Sequence, residues 1–183
     1  MKKATARSVR DAFGAESAAH MRYLIFSEQA GYENFPNVAR LFRALTFAGQ
    51  VHAIAHYRQA KELLGEYCVY FSAPFILDRT VDNLTKASEA AQEAGEEFYP
   101  PLAAAARSQG EMQAAQSFER IAQVKKAHYE MLRNMLGFIE HAAEEPKIGG
   151  LYVCGGCGLV VEGKPPGICP ICEAKQSCFR LVS

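Results

Sequence analysis

Apolar residues recur along most of this chain at steps of three and four, the spacing of one face of an α-helix. Four long stretches carry this pattern, and we predict helices over about residues 5–31, 37–64, 78–108 and 111–143. Glycines at 31, 65 and 110 and the Phe35-Pro36-Asn37 turn are typical helix boundaries. Pro100-Pro101 is expected to kink or break the third helix. The longer connection over 66–79 favours a four-helix bundle with a crossover.

The faces that should point inward carry an unusual number of polar residues. The predicted stripes are Phe13, Glu16, His20, Tyr23 and Ser27 in the first helix; Phe42, Leu45, Gly49, His52 and His56 in the second; Leu84, Ala87, Ala91, Ala94 and Phe98 in the third; and Phe118, Ile121, Lys125, His128, Leu132 and Met135 in the fourth. The second and fourth stripes share their spacing, a weak internal repeat. His52 and His128 should therefore lie at matching depth in the bundle.

The last residues of the chain carry a metal-ligand pattern. Two Cys-x-x-Cys pairs, Cys154 with Cys157 and Cys169 with Cys172, supply four thiolates for one tetrahedral ion, either zinc or iron. The prolines and glycines around them predict loops and short strands, in a module too small to fold without its metal. We therefore predict a helical bundle over 1–143, a linker over 144–150 and a metal module over 151–183.

The composition of the chain argues against several classes of function. The 183 residues are 49% apolar and carry 20 basic and 20 acidic side chains, a balance that argues against nucleic-acid binding. No stretch approaches the roughly 18 apolar residues of a transmembrane helix, and the basic N-terminus lacks the apolar run of a secretory signal. Free thiolates indicate a reducing compartment, the cytoplasm. Cys68 and Cys178 are expected to be small, half-buried apolar residues.

The whole chain resembles the rubrerythrin family, a ferritin-like four-helix bundle followed by a rubredoxin-like domain. The resemblance is carried by Gly14-Ala15-Glu16-Ser17 and Arg22-Tyr23, Leu41-Phe42 and His52-Ala53, Phe98-Tyr99-Pro100, Phe118 with His128, and Tyr152-Val153-Cys154 with the three later cysteines. It implies a rubredoxin-type iron rather than zinc, since the Cys-x-x-Cys-Gly turn presents N–H groups to the sulfurs. It also implies a dimer, with one subunit's rubredoxin iron near the other subunit's bundle.

The family also implies a di-iron site in the bundle, and here that site is degenerate. Glu16, His52 and His128 match family ligands, but the remaining carboxylate positions fall on Gly49, Lys125, Ala91 and Ala94. Two irons held by one carboxylate would leave a large positive charge in the core, which is costly. We therefore expect the di-iron site to be lost.

Two other metal arrangements remain open at this stage. A register shift in the third helix could bring Glu93 or Glu96 inward, or a single ion could bind Glu16, His52 and His128, with His20 or His56. Glu16 and Tyr23 are the candidate catalytic residues. Tyr23 and Tyr99 are otherwise expected to be core aromatic residues with a bonded hydroxyl.

Lys125 lies on the inward stripe, one turn before His128. One hypothesis is that its ammonium pairs with Glu16, so that an organic cation stands where the metals stood. The alternative is that Lys125 extends outward to solvent.

The resulting prediction is an electron carrier that works through the four-cysteine iron, with the bundle as a dimerisation and docking scaffold. Its partners would be a reductase, an acceptor protein and further copies of the chain in a homodimer or higher oligomer. One alternative is an enzyme, a rubrerythrin-type peroxidase of oxidative-stress defence that reduces hydrogen peroxide at bundle iron. Another is a structural or regulatory protein with zinc in the four-cysteine site.

Overall fold

The computed structural model describes residues 1–60, 63, 65–70, 75, 77–142 and 145–183. The fold is mainly helical, with a small sheet at the C-terminus. The helices are α1 (Lys3–Tyr32), α2 (Pro36–Gln59), α3 (Thr80–Glu93), a π-helical turn (Ala94–Phe98), α4 (Tyr99–Ser108) and α5 (Met112–Ala142); the strands are β1 (Leu151–Cys154), β2 (Val160–Glu162) and β3 (Phe179–Val182). The four-helix bundle with a small four-cysteine module is confirmed.

The first two helices pack against each other through small and aromatic residues, and their ends differ from the prediction. Helix α1 continues through Gly31, and the chain reverses at Asn34, which has a φ of 62°. Helix α2 begins at Pro36, since proline suits the first turn, where its missing N–H has no helical partner. It ends at Gln59, and the predicted end at Leu64 lies outside the described residues.

Of the predicted kink or break at Pro100-Pro101, the break does not occur. Helical conformation continues from Thr80 to Ser108 because the π-helical turn comes immediately before the prolines. The Tyr99 N–H bonds to the Ala94 carbonyl, and both prolines then occupy the first turn of α4. The predicted break after Ser108 is confirmed, at Gly110 with a φ of +78°.

The C-terminal module is a three-stranded antiparallel sheet in the order β2-β1-β3, with the metal-ligand loops at one end. Leu151 pairs with Glu162 on one side and with Val182 on the other. Leu151, Val153, Val160 and Val182 are buried in the same apolar core as Leu41 and Phe42 of α2. Module and bundle therefore share one hydrophobic core within a single chain.

The segment between α5 and β1 is held firmly to the start of α2. The Glu145 carboxylate accepts hydrogen bonds from the Asn37 and Val38 N–H groups, at 2.8 and 3.1 Å. It thus satisfies two N–H groups that a helix N-terminus leaves without partners. Arg40 donates to the carbonyls of Ile148 and Gly149, at 3.0 and 2.8 Å. These bonds set where the module sits on the bundle.

Among the described residues, no helix combines the length and the apolar character needed to cross a bilayer.

Candidate functional site

The four cysteines of the module converge on one point. Their sulfurs all lie within 4.8 Å of one another, and the Cys154–Cys172 and Cys157–Cys169 sulfur pairs are each 3.6 Å apart. Four sulfurs at 2.3 Å from one tetrahedral ion would be about 3.8 Å apart. The arrangement fits a mononuclear metal site, and across the described parts of the chain it is the one cluster of three or more Cys, His, Asp or Glu ligand atoms.

Backbone N–H groups surround the sulfurs. Those of Gly156 and Cys157 donate to Cys154, and that of Leu159 donates to Cys157. A hydrogen bond from the Cys157 thiol, joined by these N–H donors, lowers the pKa of Cys154 to about 5. These donors favour the thiolate form, which metal binding requires.

The two turns of the metal site face different environments. The turn over 154–158 lies against the bundle, and Cys157 is buried. Cys172 in the other turn is half-exposed, beside the exposed Pro170. The expectation that Cys68 and Cys178 are half-buried is wrong, because both are exposed.

A second polar cluster lies inside the bundle, around the buried Glu16 carboxylate. The Lys125 ammonium lies 2.8 Å from its Oε1 and 2.9 Å from its Oε2. The Tyr99 hydroxyl donates to Oε1 at 2.7 Å, and His52 Nδ1 lies 3.1 Å from Oε2. Lys125 is 5% exposed and Glu16 3%, so this ion pair is closed off from solvent and Lys125 does not extend outward.

The protonation states of Glu16 and Tyr99 follow from the groups around them. Burial alone would raise the pKa of Glu16, but the neighbouring Lys125 and His52 hold that pKa well below its ordinary value. Burial and the adjacent Glu16 charge raise the pKa of Tyr99 well above its ordinary value, so the hydroxyl keeps its proton and donates. Glu16 therefore stays ionised beside the Lys125 side chain.

Burial favours the neutral form of His56 and His128. Burial lowers the pKa of His56 to about 4, and the ring lies 3.2 Å from the Tyr99 hydroxyl through Nε2. Burial, followed by the charges of His52 and Lys125, lowers the pKa of His128 to about 3.

The bundle cluster and the metal module meet at two carbonyl groups. His52 Nε2 lies 2.9 Å from the Cys157 carbonyl oxygen, and His128 Nε2 lies 3.1 Å from the Gly158 carbonyl oxygen. A carbonyl oxygen only accepts, so both histidines donate through Nε2. The two imidazole rings stack with centroids 6.3 Å apart, at the matching depth that the repeat predicted.

Gly158 allows this close approach. Its φ is +80°, and a Cβ placed there would lie 2.5 Å from His52 Nε2 and 3.2 Å from the Ala48 carbonyl oxygen. A side chain at this position would thus force the module away from the bundle.

Replacing Gly158 with alanine is expected to lower the free energy of unfolding by roughly 3 kcal/mol, the sum of left-handed backbone strain and a steric clash. Gly163→Ala is the matched control, because Gly163 has a φ of +77° but open space around its Cβ position. That variant should cost about 1 kcal/mol, for strain alone. Urea unfolding measures both, and equal losses would show that the histidine contact does not constrain the module.

Several residues singled out in the sequence do not join the site. Glu93 and Glu96 are exposed, so the register shift that could have brought them inward does not occur. Gly95 faces inward instead, because a Cβ there would lie 3.0 Å from the Lys126 side chain of α5. Ala91 is buried, as its place on the stripe predicted.

The histidines of the single-ion arrangement have other partners in this structure. His128 points at the Gly158 carbonyl, and His20 Nδ1 lies 2.9 Å from the Thr46 carbonyl oxygen of α2. Tyr23 packs against Phe42, with ring centroids 6.2 Å apart, away from Glu16. The structure brings together Glu16, Lys125, His52, Tyr99 and His56 but does not assemble the proposed ligand set.

Sequence reasoning missed the contact between the bundle histidines and the module. The only available signal was the shared spacing of His52 and His128, which predicted equal depth but no partner. Their partners lie 105 and 30 residues away along the chain, and only the fold brings them close.

A ferritin-like bundle that shares its core with a four-cysteine rubredoxin-like site defines a class of redox-linked metalloproteins. The family model for rubrerythrin matches residues 8–136. The chain belongs to the rubrerythrin family, an iron-binding family, and carries a four-cysteine metal site.

Relatives and solved structures agree with this assignment. Rubrerythrin-2 of Clostridium acetobutylicum is 34% identical, over 96% of this chain and 95% of the relative. Rubrerythrin of Clostridium perfringens is 29% identical, over 97% and 93%. A structure of nigerythrin in its fully reduced, all-ferrous state superposes with a TM-score of 0.86 at 23% identity, covering 97% of this chain and 86% of that one. At that identity the superposition shows the fold alone.

Proposed function

We propose that this protein is a one-electron carrier that works through iron bound by Cys154, Cys157, Cys169 and Cys172. The observation that carries the proposal is the contrast between the two sites. The four thiols match the dimensions of one tetrahedral ion, whereas the Lys125 ammonium pairs with Glu16 inside the bundle. A cation at that position opposes the binding of two more cations by electrostatic repulsion.

Bound iron would supply a reversible ferric–ferrous couple at the four-cysteine site. The N–H groups of Gly156, Cys157 and Leu159 stabilise negative charge on the sulfurs. The iron site would accept one electron from a reductase and pass one electron on to an acceptor protein. No bond is formed or broken in either step. The half-exposed Cys172 offers a short route from the surface to the site.

The bundle serves as the docking and dimerisation scaffold in this proposal. Its α1–α2 face carries exposed apolar side chains: Met21, Ile25, Phe47, Ile54 and Tyr57. An apolar face of this kind is typical of a protein interface, and a second copy of the chain is the proposed occupant. Cysteines kept free for metal binding favour a reducing compartment such as the cytoplasm, which is part of this proposal.

A peroxidase would need metal ligands inside the bundle other than the ones described above. Reduction of hydrogen peroxide to two waters takes two electrons and two protons, and in the family this chemistry calls for metal at the position where Glu16 and Lys125 pair. Glu93 and Glu96, the carboxylates that could have completed such a site, face solvent.

Metal analysis with a visible spectrum of the aerobically purified full chain tests the proposal. We expect a coloured protein with about one iron per chain, reversibly bleached by one electron, and no peroxide turnover. About three irons with peroxide turnover would establish the peroxidase instead. Colourless protein with about one zinc would establish a structural site.

A further inference from the structure

The bundle contacts the metal site through one particular peptide group. The carbonyl of Gly158 and the N–H of Leu159 belong to the same amide. The carbonyl accepts a hydrogen bond from His128 Nε2 at 3.1 Å, and the N–H donates to the sulfur of Cys157. His128 is thus linked to a metal ligand through a single peptide bond.

Hydrogen bonds in such a chain strengthen one another. A donor at an amide oxygen draws electron density toward that oxygen, which makes the N–H of the same amide a stronger donor. His128 should therefore strengthen the Leu159 N–H bond to the Cys157 sulfur. The link is buried, since His128 is 3% and Cys157 4% exposed, and water does not compete for it.

His52 makes a similar contact with a different outcome. It donates to the Cys157 carbonyl, whose amide N–H belongs to Gly158. That N–H is bonded to the Cys154 carbonyl oxygen at 2.8 Å and not to a sulfur. Of the two histidines, His128 is therefore the one that contacts a peptide group whose N–H donates to a metal-ligand sulfur.

We propose that His128 is a positioning residue that raises the reduction potential of the four-cysteine iron through the Gly158–Leu159 peptide. Reduction adds negative charge to the thiolates, and a stronger N–H···S bond stabilises that charge. The inference rests on the proposed electron-carrier function and assigns a new role to a histidine that the family resemblance would place at the di-iron site. His128 is the donor in this contact because the Gly158 carbonyl oxygen can only accept.

The first experiment measures the midpoint potential of the iron-loaded full chain. His128→Leu should shift the reduced-to-oxidised equilibrium threefold to tenfold toward the oxidised form, a fall of about 30–60 mV at 59 mV per tenfold for one electron. His128→Gln keeps a side-chain N–H at the same reach and should restore most of the potential. His20→Leu is the matched control, because it removes a histidine-to-carbonyl bond elsewhere in the bundle.

A second measurement needs no iron. In the zinc-loaded full chain, the amide proton resonance of Leu159 should move upfield in His128→Leu, reporting a weaker N–H···S bond, and should stay in place in His20→Leu. This readout also remains available if the protein as isolated holds zinc, so failure of the carrier function and failure of the inference are distinguishable.

An unchanged potential together with an unchanged Leu159 resonance in His128→Leu would overturn the inference. An equal fall in His20→Leu, or in His128→Gln, would also overturn it, because the effect would then not depend on a donor at the Gly158 carbonyl.

Discussion

Replacing Cys169 with serine is expected to release the metal and to unfold the module while the helices persist. Cys169 is fully buried and faces Cys157 across the site. Metal binding contributes about 10–16 kcal/mol to small four-ligand modules, and three strands of three or four residues cannot replace it. Metal content and the visible band should be lost, and far-ultraviolet circular dichroism should retain nearly all of its helical signal.

The matched control for this change is Cys178→Ser. Cys178 lies in the same module but is exposed and outside the four-sulfur cluster. That variant should keep its metal and its stability. A Cys169→Ser protein that bound metal as tightly as the parent would contradict the four-ligand assignment.

Replacing Lys125 with methionine is expected to lower the free energy of unfolding by about 3–5 kcal/mol. The substitution keeps the volume and apolar stem of the side chain but removes the ammonium that contacts both oxygens of Glu16. The buried carboxylate is then left with less positive charge around it, and its desolvation is no longer compensated. Denaturation by urea, compared at one pH and one metal loading, measures the loss.

Two further variants make this experiment specific. Lys126→Met changes the exposed neighbour on the same helix and should alter stability by no more than about 0.5 kcal/mol. The double variant Lys125→Met with Glu16→Gln removes both charges and should recover much of the loss, because buried ion pairs contribute little net stability beyond a neutral pair. An additive double variant would mean that the two residues do not depend on each other.

The Glu16 cluster satisfies a buried carboxylate with groups of the protein itself. The carboxylate receives hydrogen bonds or charge from Lys125, Tyr99 and His52, so it is satisfied inside the protein. The position that the family resemblance implied for metals is occupied by groups that satisfy one another. Among the described residues, the four cysteines are the one cluster of metal-ligand atoms, and the proposed electron-carrier function rests on them.

Much of this could be predicted because the relevant interactions are local in sequence. Helical spacing located all four long helices, since side chains three and four residues apart share a face whatever they pack against. The two Cys-x-x-Cys turns indicated the metal site because each turn positions its own pair of sulfurs. The pairing of Lys125 with Glu16 could be stated as a hypothesis because both stripes point into the same bundle interior, but the sequence did not decide between that pairing and an outward-extending Lys125.

The errors arose where the backbone responds to its neighbours. The π-helical turn at Ala94–Phe98 precedes Pro100-Pro101 within a helix that continues to Ser108, and it brings Gly95 against α5, a contact that depends on the facing helix. The exposure of Cys68 and Cys178 likewise depends on what covers them.

The sequence by itself determined the four helices, the four-cysteine site and the loss of the family's carboxylates, because each depends on residue type and short-range spacing. Only the tertiary structure decided what the bundle histidines contact. The Gly158 carbonyl reaches His128 because the Glu145 and Arg40 hydrogen bonds and the shared core seat the module on α2 and α5. The Glu145 and Arg40 hydrogen bonds join residues more than a hundred positions apart, and no local pattern in the chain encodes them.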